Sequence, residues 1–296
     1  MTPRFTMQVE INANNPAHYL ACCGAFEILA RFDASALSRW ETDPVTRFGM
    51  ESSIQETEIV AAIVNTFSNW KSCWREQRAD ESEVVNRIDV SFSLANEQRA
   101  TLKLDWWYET LTGDGNINSR SAWKMYAGNQ TAEKTIANMI DVCKELADAK
   151  TLTTFADLLG ASKGMTGRFG FDPSSSRNAL DVGYSPNDLN LNVATYPFAE
   201  LLAMIAAQYF FTSRTRAGGG HQSTRGFIRH KDKRIYFRHC MWREWMPILF
   251  ARVFACGSIA DAQTAQMYES FRASRDKYSN LSPSTLTDFK KEANDD

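Results

Sequence analysis

The chain has 296 residues, 44% hydrophobic and 23% charged, the balance of a folded globular protein rather than a disordered one. Thirty-three lysines and arginines stand against thirty-five acidic residues, for a net charge of -2. That near balance excludes a stand-alone nucleic-acid coat, whose affinity draws on a large cationic excess, but it permits a basic face confined to one segment.

Residues 5–11 alternate, with Phe5, Met7, Val9 and Ile11 on one side, which predicts a half-buried strand. The Asn-Ala-Asn-Asn-Pro stretch at 12–16 supplies a cap and a first-turn proline. Residues 17–32 then read as a mostly buried helix, in which Gly24 marks close packing against another backbone. A second helix is expected over 57–76, where Ile59, Ile63, Phe67, Trp70 and Trp74 recur at spacings of three and four. Ile88, Val90, Phe92 and Leu94 alternate into a turn at 95–99, and Leu102, Leu104 and Trp106 alternate out of it, the clearest hairpin of the chain.

A polar loop at 112–121 leads into a predicted long helix over 122–148, striped by Ile136, Ile140, Cys143 and Ala147. Residues 161–195 are rich in Gly, Ser, Asn and Pro. They read as a long functional loop region with short β-like pieces at 167–172 and 181–184. This region is the soft boundary between an N-terminal α+β domain (1–160) and a C-terminal part (161–281). The remaining expectations are a buried helix over 197–212, a hairpin from 225–230 to 234–240, helices over 246–256 and 262–276, and a frayed tail at 282–296. Hairpins and helices without regular strand-helix alternation define an α+β class, antiparallel hairpins with packed helices.

One segment stands apart in charge. Between Ser213 and Arg243 lie nine basic residues, Arg214, Arg216, Arg225, Arg229, Lys231, Lys233, Arg234, Arg238 and Arg243, with Asp232 the one acid. Gly218, Gly219 and Gly220 sit among them, beside His221. Three glycines remove every side chain from a loop, so backbone amides can approach a phosphate closely. Neighbouring arginines can clamp phosphate oxygens in a bidentate manner. Tyr236, Phe237 and His239 are residue types that stack on unpaired bases. The combination suits a sequence-independent grip on single-stranded nucleic acid, weighed against a plain solvated basic hairpin.

Other features carry less. The six cysteines, Cys22, Cys23, Cys73, Cys143, Cys240 and Cys256, contain no Cys-x-x-Cys and read as reduced core or near-core thiols. His221, His230 and His239 share a nine-residue period that matches no usual zinc spacing, so no metal is expected. Asp105 and the aromatic run Trp106, Trp107 and Tyr108 fit a strand end and core aromatics better than an active site. No Walker, Rossmann, Gly-x-Ser-x-Gly or His-Glu-x-x-His pattern is complete, and no cofactor is expected. The absence of a secretory leader or an apolar run of spanning length predicts a cytoplasmic protein without membrane contact.

Four stretches together resemble a known family. They are Asn14-Asn-Pro-Ala-His-Tyr-Leu-Ala-Cys-Cys-Gly24, Leu104-Asp-Trp-Trp107 with Lys124-Met-Tyr-Ala-Gly-Asn-Gln130, Phe169-Gly-Phe-Asp-Pro173 with Leu180-Asp-Val-Gly-Tyr-Ser-Pro186, and the arginine-glycine segment ending in Tyr236-Phe-Arg238 and Trp242. The pattern, spread over most of the chain, is similar to CRISPR-associated proteins of the Csb group from type I-G (formerly I-U) loci. The resemblance implies a non-catalytic subunit of a crRNA-guided, Cascade-like surveillance complex in antiviral defence. Its implied partners are crRNA and/or target DNA and other CRISPR effector subunits. It also implies a ferredoxin-like, RAMP-like core with extra helices, in which Gly218 to Gly220 form the guide-holding loop with Arg214, Arg216 and Arg225 beside it. Two alternatives accompany it: a guide-processing endoribonuclease using His221 or His239, and a large- or small-subunit-like scaffold without direct RNA contact.

Overall fold

A computed structural model describes residues 3–70, 73–80, 83–104, 109–111, 117–119, 122–123, 125, 132–165, 167–174, 193–210, 212–214, 222–257, 261–275 and 278–289. The chain opens with β1 (Phe5–Glu10), which buries Met7 and Val9. It enters α1 (Pro16–Phe32) through the predicted cap, in which the Asn15 side-chain oxygen accepts from the Ala17 N–H at 2.9 Å. β2 (Leu37–Glu41) and β3 (Arg47–Ser52) follow, then α2 (Glu56–Asn69), where Gln55 and Glu58 close a capping box.

A meander of β4 (Cys73–Asp80), β5 (Glu83–Ser93) and β6 (Arg99–Leu104) comes next, then β7 (Glu109–Leu111) and β8 (Ile117–Ser119). α3 (Ala132–Ala149), α4 (Phe155–Gly160), β9 (Lys163–Met165) and β10 (Val193–Thr195) lead to α5 (Pro197–Ala206), which ends in a 3-10 turn over Ala207–Phe210. The C-terminal third holds β11 (Thr212–Arg214), β12 (Gln222–Thr224), β13 (Phe227–Arg229), β14 (Ile235–Trp242), β15 (Met246–Pro247), α6 (Ile248–Ala255), β16 (Ala265–Arg275), β17 (Tyr278–Leu281) and β18 (Thr285–Thr287).

The fold is α+β, with antiparallel pairing in every described sheet. One sheet has the order β1-β3-β2-β15 and another β13-β14-β16-β17, with β18 also on β16. In the first, β3 lies between β1 and β2, with α1 as the connection, which is a split β-α-β unit, the opening half of a ferredoxin-like domain. The closing half would return a strand to the free side of β1. Instead β4 pairs with β5, and β15 adds to the far side of β2, so no complete ferredoxin-like core is found among the described residues.

α1 packs across α5, and Gly24 is the contact point. A Cβ there would lie 2.0 Å from the Leu202 carbonyl oxygen, so only glycine lets the backbones meet. Tyr19 and Tyr209 cross-tie the same layer by donating to the Cys240 and Cys23 carbonyls, each at 3.0 Å. One continuous buried cluster takes in residues from both sides of position 160, so packing carries on across the expected domain boundary.

Several expected elements differ. The helix over 57–76 stops at Asn69, because Trp70 turns extended and the chain passes into β4, which carries Trp74. The helix expected from 122 is described only from Ala132. Ala122 and Trp123 form a turn, with the buried Trp123 indole N–H donating to the Phe210 carbonyl at 3.1 Å. The helix expected over 262–276 is the long strand β16. The tail expected to fray is tied down as far as residue 289. β18 pairs with β16, Ser284 N–H donates to the Asn14 carbonyl at 2.7 Å, and the Ser270 and Ser284 hydroxyls meet in the core at 2.6 Å.

Candidate nucleic-acid interface

The predicted hairpin forms where expected. β13 and β14 pair in the register Phe227 with Phe237, Ile228 with Tyr236 and Arg229 with Ile235, around a tip at 230–234. Successive strand residues face opposite ways, so this register sorts the hairpin into two faces. The inner face carries Phe227 and Phe237, which pack edge-on to Trp123 with ring centroids 4.7 and 4.8 Å away. At the entry to the hairpin, Gly226 has φ +74 and lies against Phe210, where a Cβ would come within 2.6 Å of the ring.

The tip concentrates positive charge. Arg229, Lys231, Lys233 and Arg234 are exposed. Among the described residues Arg229, Lys231 and Lys233 make no ion pair, while Arg234 meets Asp232 at 3.6 Å in full view of solvent. Arg225 stands exposed in the preceding turn between β12 and β13. Arg238 is different. It lies on the outer face of β14 beside its cross-strand neighbour Glu269, to whose Oε1 it donates from Nε at 2.9 Å and Nη2 at 2.8 Å. The other carboxylate oxygen of Glu269 faces His230 Nε2 at 3.3 Å.

The glycine loop is bracketed rather than described. β11 and β12 pair with Arg214 opposite Gln222, which closes the loop at its base. Arg216, Gly218, Gly219, Gly220 and His221 lie outside the described residues, as do the Arg214 side chain, Asp105, Trp106, Trp107 and Tyr108.

Of the three aromatic candidates on β14, Tyr236 alone lies on the outer face and is not fully buried. Phe237 is buried in the core against Trp123 and Phe210. His239 is buried between Tyr19, Phe237 and Tyr268, and neither ring nitrogen meets a hydrogen-bonding group among the described residues. Burial pushes its pKa down to about 3, so it stays neutral and shielded from any substrate. The sequence reading missed Phe271, the cross-strand partner of Tyr236 on β16, whose ring lies 5.5 Å from that of Tyr236. Arg234 reaches over the Phe271 ring at 5.4 Å.

A second polar centre joins two of the quoted sequence motifs. Asn15 donates to Asp172 at 3.0 Å, and Ser174 donates to the same oxygen through its N–H and hydroxyl. Glu200, buried at the start of α5, accepts the N–H groups of Phe169 and Asp172, each at 3.0 Å. Burial, then the nearby negative charge of Asp172, push the Glu200 carboxyl up to about 7 against the opposing pull of those amides and Arg168. The bonds clamp 167–174 to the starts of α1 and α5, which is a structural use of these polar side chains. Among the described residues no three His, Cys, Asp or Glu side chains converge to hold a metal ion, and no helix is long and apolar enough to cross a membrane. No protein-family model, curated protein or solved structure matches the chain.

Proposed function

We propose that this chain is a non-catalytic, nucleic-acid-holding subunit of a crRNA-guided surveillance complex, gripping guide RNA or target DNA at the β13–β14 hairpin in the cytoplasm. The observation that carries the reading is the cluster of Arg229, Lys231, Lys233 and Arg234 on one hairpin tip of a chain whose net charge is -2. Cations brought together in this way steer and hold a polyanion without reading its sequence. The adjoining loop with Arg214, Arg216 and the three glycines extends the same basic stretch of sequence. The resemblance to Csb-group proteins supplies the complex and its other subunits as partners.

An acid-base role for His239 has no support in its buried aromatic setting. A scaffold role in the same assembly draws on a separate observation: α6 leaves Leu249, Phe250 and Val253 68%, 58% and 38% exposed, an apolar helix face of the kind that subunits cover. The charge reading is tested by replacing Lys231, Lys233 and Arg234 together with alanine and titrating binding of a single-stranded oligonucleotide against salt. Loss of three phosphate contacts lowers the slope of log K against log salt by about 2. An unchanged slope and affinity would remove the hairpin from the interface.

A further inference from the structure

Resting on that reading, we propose that the outer face of β13, β14 and β16 is a stacking platform for unpaired bases, so that the nucleic acid held at this site is single-stranded rather than duplex. Four side chains form a continuous strip there. His230 lies 4.3 Å from Tyr236, Tyr236 lies 5.5 Å from Phe271, and the Arg234 guanidinium lies 5.4 Å over Phe271. Tyr236 and Phe271 are cross-strand neighbours, so the sheet itself fixes their spacing, and both are partly buried rather than closed off.

Rings left partly exposed on a sheet face can take a flat apolar partner, and every nucleobase offers one regardless of sequence. The ring separation exceeds the rise of stacked bases, about 3.4 Å, so successive bases lie splayed, one to each ring. A duplex buries its base faces in its own stack and can offer this surface nothing but backbone. The charge around the strip fits the same occupant. Arg229, Lys231, Lys233 and Arg234 crowd the end where the phosphates would run, and the Glu269 carboxylate beside the strip is paired with Arg238 and faces His230.

The test uses the full chain and three labelled probes of one mixed sequence, single-stranded RNA, single-stranded DNA and the blunt duplex, each followed by fluorescence anisotropy over a range of salt. Wild type is expected to bind at least one single strand more tightly than the duplex. The RNA and DNA arms distinguish guide from target as the source of that strand. Phe271→Leu and Tyr236→Leu should each weaken single-strand binding by about 5- to 150-fold, the worth of one stacked base, while leaving the salt slope and the duplex affinity in place. Tyr236→Phe, which keeps the ring, should bind like wild type.

Wild-type affinity in both leucine variants would overturn the platform while leaving the cationic grip standing. Equal weakening toward the duplex would overturn it as well. A wild-type chain that binds none of the probes would overturn platform and grip together.

Discussion

Glu269 sets the electrostatic limit of the interface, and neutralising it should move affinity and stability in opposite directions. Its side chain is 9% exposed and takes two guanidinium donors from Arg238 on one oxygen, while the other oxygen faces His230 Nε2 at 3.3 Å. Glu269→Gln keeps the shape but turns one end into a donor facing His230. Loss of the charge-assisted bonds should lower unfolding stability by about 1–3 kcal/mol. Binding should improve. A negative charge leaves the face, worth about 1 kcal/mol to a phosphate some 8 Å away at an effective dielectric constant near 40, or roughly fivefold in affinity. Anisotropy titrations of a single-stranded probe, with a urea melt of the same protein, read both effects. A folded variant that binds no more tightly than wild type would refute the placement of phosphates along this end of the sheet.

Two further outcomes test the frame around the site. Gly24→Ala should destabilise the chain by about 3 kcal/mol, the upper end of ordinary overpacking, because its Cβ would meet the backbone of Leu202 rather than a movable side chain. Gly160→Ala, with nothing within 4 Å of its Cβ, should leave stability within about 0.5 kcal/mol, so a thermal melt that shifts both alike would contradict the α1–α5 contact. Glu200 makes stability depend on pH. Its folded pKa of about 7 lies above the ordinary 4.5, so the native state binds the extra proton. The stabilisation is therefore complete below 4.5 and is lost as pH rises to about 7, up to about 3 kcal/mol in all. Glu200→Gln should remove that slope while lowering stability at every pH, and parallel pH profiles for the two proteins would count against the clamp.

The sequence exposes those parts of the molecule whose signal is local. β1 alternates, Asn15 and Pro16 cap α1, and Lys231 to Lys233 mark a hairpin turn, all from neighbours along the chain. Gly24 reads as a close approach because glycine is costly inside a helix and needs a packing reason. β16 gives no such signal. Met267, Tyr268, Glu269 and Ser270 are all buried, so the strand lacks the two-residue contrast that separates strand from helix. With β16 read as a helix, Phe271 and Glu269 had no visible relation to Tyr236 and Arg238, although register makes them neighbours.

α2 misleads in another way. The apolar spacing of its helix runs on through Trp70 and Trp74 after the backbone has turned extended, and only tertiary pairing of β4 with β5 shows the break. Tyr236 and Phe237 are adjacent on one strand and so must face opposite ways, which leaves one of them for a ligand and the other for the core.

Whether this chain holds nucleic acid within a guide-bearing assembly is decided by recovering the tagged protein from cells that carry its neighbouring genes and sequencing whatever nucleic acid comes with it. A uniform, repeat-containing RNA should come with it together with further subunits, and that RNA should be lost when Lys231, Lys233 and Arg234 are replaced. A protein recovered alone and free of nucleic acid would contradict the proposed function.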